Sequence, residues 1–154
     1  MSIKKFTELY SSVYKDLYKF ALCMMRNEQD AEDAVSEAVI SAYENIKKLR
    51  KEESFKSWIF QITANVCKRK LKEKGRTEVE LAENMKSPEA DAEFKMDIQN
   101  AMNQLEEEER YIIALSAFAG YNSTEIGEIL HMNSNTVRSK RKRAVDKMSE
   151  MLKE

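Results

Sequence analysis

The sequence predicts an all-α protein built of two small helical domains, and two observations lead to that prediction. The 154 residues include only 3 glycines and 1 proline, whereas an all-β fold needs turn residues roughly every 8 to 12 positions. Along several segments, apolar residues recur at steps of three and four, the spacing that brings them to one face of a helix. The scarcity of glycine also argues against a Gly-rich phosphate-binding loop.

Three helices are predicted in the first part of the chain. Apolar residues at helical spacing predict the first helix over residues 4–25. Asn27 is the expected N-cap of the second helix, because its side chain can accept a hydrogen bond from a free N–H of the first turn. Ser54 is the expected cap of the third helix, and Gly75 is its expected end.

The C-terminal part predicts a helix-turn-helix unit. Residues 123–130 form a short predicted helix, with Asn122 or Ser123 as its cap. Residues 131–133 are expected to make a tight turn, and Ser134 is expected to cap a long final helix. A short helix, a three-residue turn and a second capped helix are typical of helix-turn-helix DNA-binding units.

Charge divides the chain into three parts. Residues 1–75 have a net formal charge of +4, residues 76–110 of −7 and residues 111–154 of +2. Helical periodicity fades where the acidic residues accumulate, which predicts an acidic linker over 76–92 that joins a first domain to a second domain at 93–154. The overall net charge of −1 therefore hides two basic segments, 1–75 and 111–154, that could attract nucleic acid.

Several functional classes are disfavoured. No apolar run of about 18 residues occurs, so neither a signal peptide nor a membrane span is expected, and we expect a cytoplasmic protein. Cys23 and Cys67 lack the spacing of a metal site and share the chain with 1 histidine, so we expect free thiols, no metal and no cofactor. We do not expect an enzyme, because no nucleophile–base pair accompanies the acidic run at 106–109.

The final predicted helix carries five basic residues within positions 138–143. Apart from Lys142, which has Asp146 at i+4, they lack the acidic i,i+4 partners that a solvated surface helix usually has, so DNA binding is favoured over a plain surface helix. The candidate contacts to base edges are Ser134, Asn135, Thr136, Arg138, Ser139 and Arg143. The candidate contacts to phosphates are Lys140, Arg141 and Lys142.

The third predicted helix starts at an aromatic junction and continues with amides and cations. This combination suits single-stranded DNA, because aromatic rings stack on bases and cations follow the backbone. The candidate residues are Phe55, Trp58, Gln61, Asn65, Lys68 and Arg69. Both aromatic residues also lie on the apolar face of the helix, so a purely structural role is the alternative, and it is favoured for Trp58.

Three segments, in this order, resemble the extracytoplasmic-function (ECF) sigma factors of bacterial RNA polymerase. NEQDAEDAVSEAVISAYENI is similar to the family's helix that docks on the polymerase clamp, and SFKSWIFQITANVCKRKLK is similar to its −10-reading segment. LEEEERYIIALSAFAGYNSTEIGEILHMNSNTVRSKRKRA resembles the C-terminal domain that reads the −35 element. The resemblance covers nearly the whole chain. It implies an alternative sigma factor that binds core polymerase, directs it to promoters and promotes DNA melting.

The resemblance also implies roles for matching residues. The polymerase clamp would be bound by Asp30, Glu32, Asp33 and Glu37. The basic loop after the second helix would hold an extruded base, and the full −10 set would be Lys47, Lys48, Arg50, Lys51, Phe55, Lys56, Trp58, Gln61, Asn65, Lys68 and Arg69. The final helix would enter the −35 major groove. Core RNA polymerase and promoter DNA are the implied partners, and an anti-sigma protein is expected by family analogy.

Two departures from the family pattern concern the helix-turn-helix unit. Gly127 stands where the family usually has alanine, which costs about 1 kcal/mol of helix propensity, and the turn at 131–133 lacks the customary glycine. The competing interpretation of the chain is a stand-alone helix-turn-helix repressor or adaptor. Such a protein would bind duplex DNA tightly without polymerase, whereas a sigma factor is expected to bind weakly alone.

Overall fold

The computed structural model describes residues 1–74, 100 and 104–152. The main helices are α1 (Ile3–Met25), α2 (Glu28–Glu44), α3 (Phe55–Lys74), α4 (Glu107–Ala117), α5 (Ser123–Leu130) and α6 (Ser134–Leu152). Two 3-10 turns, Ile46–Lys48 and Glu52–Ser54, connect α2 to α3. The described ranges contain no strand, so the predicted all-α fold is confirmed there. The predicted linker at 76–92 and the predicted helix end at Gly75 lie outside them.

The first two helices begin where the sequence predicts. Helix α1 agrees with the predicted span of 4–25 to within one residue. Asn27 caps α2: its Oδ1 accepts a hydrogen bond from the backbone N–H of Asp30 at 2.9 Å. This bond satisfies one of the N–H groups that a helix start leaves without an intrahelical partner.

The caps of the helix-turn-helix unit are both asparagines. Helix α5 has the predicted bounds, and Asn122 rather than Ser123 is its cap. The prediction that Ser134 caps α6 is wrong by one residue. Ser134 is already helical, and the Oδ1 of Asn133 accepts a hydrogen bond from the N–H of Asn135 at 2.7 Å. Asparagine and serine are about equally good caps, so a sequence in which they are adjacent does not distinguish them.

Helices α1, α2 and α3, here called the N-terminal helical group, pack around aromatic rings. The rings of Phe20 and Phe60 meet edge to face with centroids 5.5 Å apart, and those of Phe6 and Phe55 with centroids 5.7 Å apart. Helix α2 adds small side chains that are fully buried: Ala31, Ala34, Ala38 and Ala42. These alanines let α2 approach its neighbours closely, as their regular spacing predicts.

Helices α4, α5 and α6, here called the C-terminal helical group, are joined by an apolar core and by ion pairs between α4 and α6. Helix α6 packs against both α4 and α5 and buries Val137 and Ala144. Near its end, the Nζ of Lys147 lies 2.7 Å from the Oε1 of Glu109 on α4. Burial acts to raise the pKa of Glu109, but its hydrogen bond to Lys147 and other favourable contacts outweigh this effect and lower it. The ionised carboxylate therefore anchors α6 to α4.

The two helical groups also touch each other. Their buried apolar side chains form one continuous cluster, and α1 packs against α4. Hydrogen bonds between described residues also cross the boundary. The hydroxyl of Tyr121 donates to the carbonyl oxygen of Ser57 at 2.5 Å, and the Nζ of Lys68 donates to the carbonyl oxygen of Ile129 at 3.3 Å.

Candidate nucleic-acid and polymerase interfaces

Helix α6 presents a polar and basic face on the side opposite its buried residues. Val137 and Ala144 face the core with 0% exposure. Asn135, Ser139 and Lys142 follow one another at steps of four and three on the outer side, and all three are exposed. Of the predicted −35 set, the exposed members are Asn135, Thr136, Arg138, Ser139, Arg141, Lys142 and Arg143, and the half-buried members are Ser134 and Lys140.

Two contacts on α6 involve side chains of the predicted −35 set. The Nζ of Lys140 lies 3.1 Å from the Oε1 of Glu108 on α4, so this cation is partly committed to holding the C-terminal helical group together. The guanidinium of Arg138 donates to the Oδ1 of Asn135 one turn earlier. That bond orients Arg138 along the outer face, where a guanidinium can approach a base edge.

The turn that sets the angle of α6 depends on a glycine. A Cβ atom at Gly127 would lie 2.5 Å from the carbonyl oxygen of Met132, which is backbone and cannot swing away. His131 adopts a left-handed conformation with φ 59°, the conformation that the family's usual glycine would adopt more readily. The sequence suggested only that Gly127 lowers helix propensity. The structure shows that Gly127 also makes room for the turn.

Replacing Gly127 by alanine is expected to lower the free energy of unfolding by about 2 kcal/mol, because the clash outweighs the gain of about 1 kcal/mol in helix propensity. Urea unfolding followed by circular dichroism measures the change. Thr124→Ala, at an exposed position of the same helix, is the control and should stay within about 0.5 kcal/mol of the parent. A Gly127→Ala protein as stable as the parent would refute the steric argument.

The predicted DNA-binding residues of α3 lie in three different environments. Gln61, Asn65 and Arg69 are exposed along the outer side, with Trp58 half-buried beside them. Phe55 is only 2% exposed and packs on Phe6 and Trp58, so its ring offers no face for a base in this conformation. Lys68 is half-buried at the edge of α3, where it meets the C-terminal helical group through Ile129.

The loop between α2 and α3 lies beside a cavity of about 550 Å³. Its lining includes Lys47, Arg50 and Lys51 from the loop, together with Ser2 and Lys5 from the start of α1. Lys5 forms an ion pair with Glu52 across this region at 3.4 Å. The predicted basic loop thus lines an open pocket, and the start of α1 is a part of its wall that sequence reasoning missed.

The two remaining lysines of the −10 set, Lys48 in the loop and Lys56 at the start of α3, have different surroundings. Lys48 is exposed beside the cavity-lining residues. Lys56 lies at the start of α3, with its Nζ 5.9 Å from the centroid of the Phe60 ring and 3.9 Å from Asp16. Both ammonium groups are near the surface, so both can approach a phosphate.

Helix α2 carries the predicted polymerase-binding acids, but not all of them face outward. Glu32 and Asp33 are exposed, and Glu37 is partly exposed and paired with Arg69 of α3. Asp30 is only 3% exposed, which contradicts the expectation that it lies on the docking surface. It occupies the first turn of α2, where its backbone N–H is bound by the capping side chain of Asn27.

Sequence reasoning overlooked an apolar residue on this surface. Ile40 is 60% exposed and lies seven residues after Asp33, two helical turns along the same face. The sequence signal for this exposed residue was available, because Ile40 is out of phase with the buried alanines of α2. Ile40 therefore adds an exposed apolar side chain to the face that carries Asp33.

The described residues show little sign of other chemistry. Within them, no helix is long and apolar enough to cross a membrane, and no group of His, Cys, Asp and Glu is arranged to hold a metal ion. Cys23 and Cys67 are buried free cysteines, and burial raises the pKa of both thiols to about 12.

Comparison with known proteins identifies the family of the chain. Residues 9–77 match the family model of sigma-70 region 2, and residues 95–148 match that of sigma-70 region 4. RNA polymerase sigma factor SigV of Bacillus subtilis is 31% identical over 137 residues, which is 87% of this chain and 82% of SigV. The ECF sigma factor SigM of Mycobacterium tuberculosis is 25% identical over 150 residues, covering 96% and 76% of the two chains.

Solved structures share the fold. The sigma factor RpoE, in complex with the anti-sigma factor NepR from Bartonella quintana, matches with a TM-score of 0.75 at 23% identity, over 98% of both chains. CnrH, in complex with the cytosolic domain of CnrY, matches with a TM-score of 0.69 at 21% identity, over 99% of this chain and 90% of CnrH. The family predicted from sequence is confirmed: the chain belongs to the ECF sigma factors, which direct bacterial RNA polymerase to specific promoters.

Proposed function

We propose that three consecutive parts of this sigma factor have different functions. The domain at 1–75 binds core polymerase and the melted −10 element, the segment at 76–92 is an acidic linker, and the domain at 93–154 reads the −35 element. The observation that supports this proposal is that α3 and α6 each have a buried side and an exposed side. Each helix buries one side in its own helical group and presents amides and cations on the other.

The −35 element is assigned to the outer face of α6. Arg138, held by Asn135, reads base edges in the major groove together with Thr136, Ser139 and Arg143. Arg141 and Lys142 contact phosphates, which position the helix without reading sequence. Ser134 and Lys140 contribute less, because both are half-buried and Lys140 is paired with Glu108.

The −10 element is assigned to the outer side of α3 and to the neighbouring pocket. Gln61 and Asn65 follow the backbone of the melted strand, with Lys56 and Lys68 at its edges. Arg69 contributes only when its ion pairs with Glu37 and Glu73 are released. The cavity of about 550 Å³ falls in the range of small-ligand sites, about 300 to 1,000 Å³. It accommodates an extruded base, and the lysines and arginine of the loop hold the flanking phosphates. Phe55 keeps a structural function in the core.

Core polymerase is assigned to the exposed side of α2. Glu32, Asp33 and Glu37 supply negative charge, and Ile40 supplies an apolar contact in their midst. Docking there places both DNA-reading surfaces at fixed positions, so two weak contacts act together through their high effective concentration.

Regulation and location follow from the same assignment. RpoE and CnrH were each solved in complex with a second protein, the anti-sigma factor NepR and the cytosolic domain of CnrY. We infer that an anti-sigma protein binds this chain as well. Its action on core polymerase and promoter DNA implies that it works in the cytoplasm.

Asn65→Ala is expected to slow open-complex formation about tenfold and to leave recruitment to the promoter nearly unchanged. The exposed amide is lost from the strand-facing side of α3, and a hydrogen bond to a charged group contributes about 1.5 kcal/mol or more. Permanganate reactivity of melted thymines measures opening, and electrophoretic mobility shift measures recruitment. Arg138→Ala is the matched comparison and should show the opposite pattern. Equal loss of both steps in both variants would contradict this division of work.

A further inference from the structure

The outer side of α3 carries a stripe of polar residues that continues beyond those assigned to the melted strand. The stripe, here called the outer stripe, consists of Gln61, Asn65, Lys68 and Lys72. Its members follow one another at steps of four, three and four, the spacing that keeps side chains on one face of a helix. The opposite side of α3 is fully buried and passes through Ile59, Thr63 and Cys67. No member of the outer stripe is acidic, so nothing in it repels a phosphate.

Among the residues that the structure describes, Lys72 is the cation on this side of α3 that no other contact engages. Lys68 is half-buried and donates a hydrogen bond to the carbonyl oxygen of Ile129. Arg69 forms ion pairs with two glutamates, one on α2 and one on α3. Lys72 is exposed and has no ion-pair partner among the described residues. Its ammonium group can therefore meet a phosphate without first breaking another contact.

Lys72 lies at the end of α3 that faces upstream DNA. The helix begins beside the pocket assigned to the extruded base, and the chain continues from its other end to the domain assigned to the −35 element. Because the −35 element lies upstream of the −10 element, this other end is the upstream one. Lys72 is seven residues beyond Asn65, which is about 10 Å along the helix axis. A duplex advances by that distance in about three base pairs.

We propose that Lys72 is a further DNA-binding residue, which contacts a backbone phosphate at the upstream edge of the melted −10 strand, where the duplex begins. The contact positions the junction between duplex and melted strand on α3 and carries no sequence information. Lys72, rather than the ion-paired Arg69, thus supplies the free positive charge of this helix. This inference rests on the proposed assignment of the outer side of α3 to the −10 element.

Salt titration of promoter binding by the holoenzyme measures the contact. Lys72→Gln is expected to weaken binding about fivefold, which corresponds to about 1 kcal/mol, and to lower the slope of log affinity against log salt concentration by about 0.9. Lys72→Arg keeps the charge and should restore both values. Lys15→Gln removes the same charge from an exposed position of α1 and should match the parent. Equal affinities and salt slopes in Lys72→Gln and Lys15→Gln would overturn the proposal.

Substitution of single phosphates locates the contact. Uncharged methylphosphonate linkages are placed one at a time along each strand of the −10 element and the adjoining duplex. At the contacted phosphate the parent loses affinity, whereas Lys72→Gln loses no more, because one partner of the contact is already absent. At every other phosphate the two losses should add. Non-additivity at the upstream edge is the expected result, and non-additivity only at the downstream end, or at no phosphate, would overturn the proposed contact.

Asn65→Ala, measured on the same promoter, separates this proposal from the proposed function. Slower opening in Asn65→Ala, together with parental affinity and salt slope in Lys72→Gln, would exclude the Lys72 contact and leave the −10 assignment of α3 intact. Parental opening and binding in both variants would instead overturn the −10 assignment of α3, and the Lys72 contact with it.

Discussion

Replacing Asp33 by lysine is expected to weaken the binding of the chain to core RNA polymerase at least about tenfold. Asp33 is exposed on α2, on the same face as Ile40, which is 60% exposed. The substitution removes an attraction to the proposed basic partner surface and replaces it with a repulsion. Two unit charges 4 Å apart contribute about 1 kcal/mol in water and more where the interface excludes water, so a reversal exceeds the 1.4 kcal/mol of a tenfold change.

The control for Asp33→Lys is Glu8→Lys. Glu8 lies on α1, is equally exposed to solvent and undergoes the same change of charge, so any general effect of net charge appears in both variants. Affinity is measured by fluorescence anisotropy of labelled chain titrated with core polymerase. Titration at two salt concentrations shows whether the loss is electrostatic, because exposed charges are screened. Equal affinities for the two variants would contradict the assignment of α2 to the clamp.

Replacing Arg138 by alanine is expected to reduce discrimination at one −35 base pair by about 1 to 3 kcal/mol, which is about 5-fold to 150-fold. Its guanidinium is exposed on the outer face of α6 and oriented by Asn135. A bidentate contact to a guanine edge accounts for a loss of this size. Arg143→Ala, five residues further on, is expected to weaken −35 recognition in the same way at a neighbouring base pair.

The comparison variant for this prediction is Arg141→Ala. Arg141 is exposed on α6 as well, but is assigned to a phosphate. Its loss should weaken binding about equally for all −35 sequences and lower the slope of affinity against salt by about 1. Holoenzyme binding to a set of −35 single-base variants separates the two effects. Loss of specificity in Arg141→Ala, with none in Arg138→Ala, would show that the roles are reversed or that α6 is turned differently in the groove.

Local sequence signals predicted the helices well. Helix α5 has the predicted bounds, and α2 starts at the predicted Asn27 cap, because periodicity and capping depend on residues within one or two turns. The cap of α6 was misplaced by one position since Asn133 and Ser134 are both good caps. The outward face of α6 followed from the positions of Val137 and Ala144.

Features that depend on distant neighbours could not be predicted. Lys68 and Ile129 are 61 positions apart, and no local sequence pattern predicts a hydrogen bond between them. Asp30 was expected on the surface with the other acids of α2, whereas packing in the N-terminal helical group buries it. The clash that excludes a Cβ at Gly127 arises from the carbonyl of Met132, and it depends on the path of the turn rather than on helix propensity.

The most direct test of the central claim is transcription in vitro from fragmented genomic DNA of the host. Bacterial core polymerase is used with and without the chain, and the 5′ ends of the RNA are mapped. A promoter-directing factor predicts discrete new starts, each preceded by the same two sequence elements at −35 and −10. No new starts, together with tight binding of the chain alone to duplex DNA, would contradict the account and favour a stand-alone repressor.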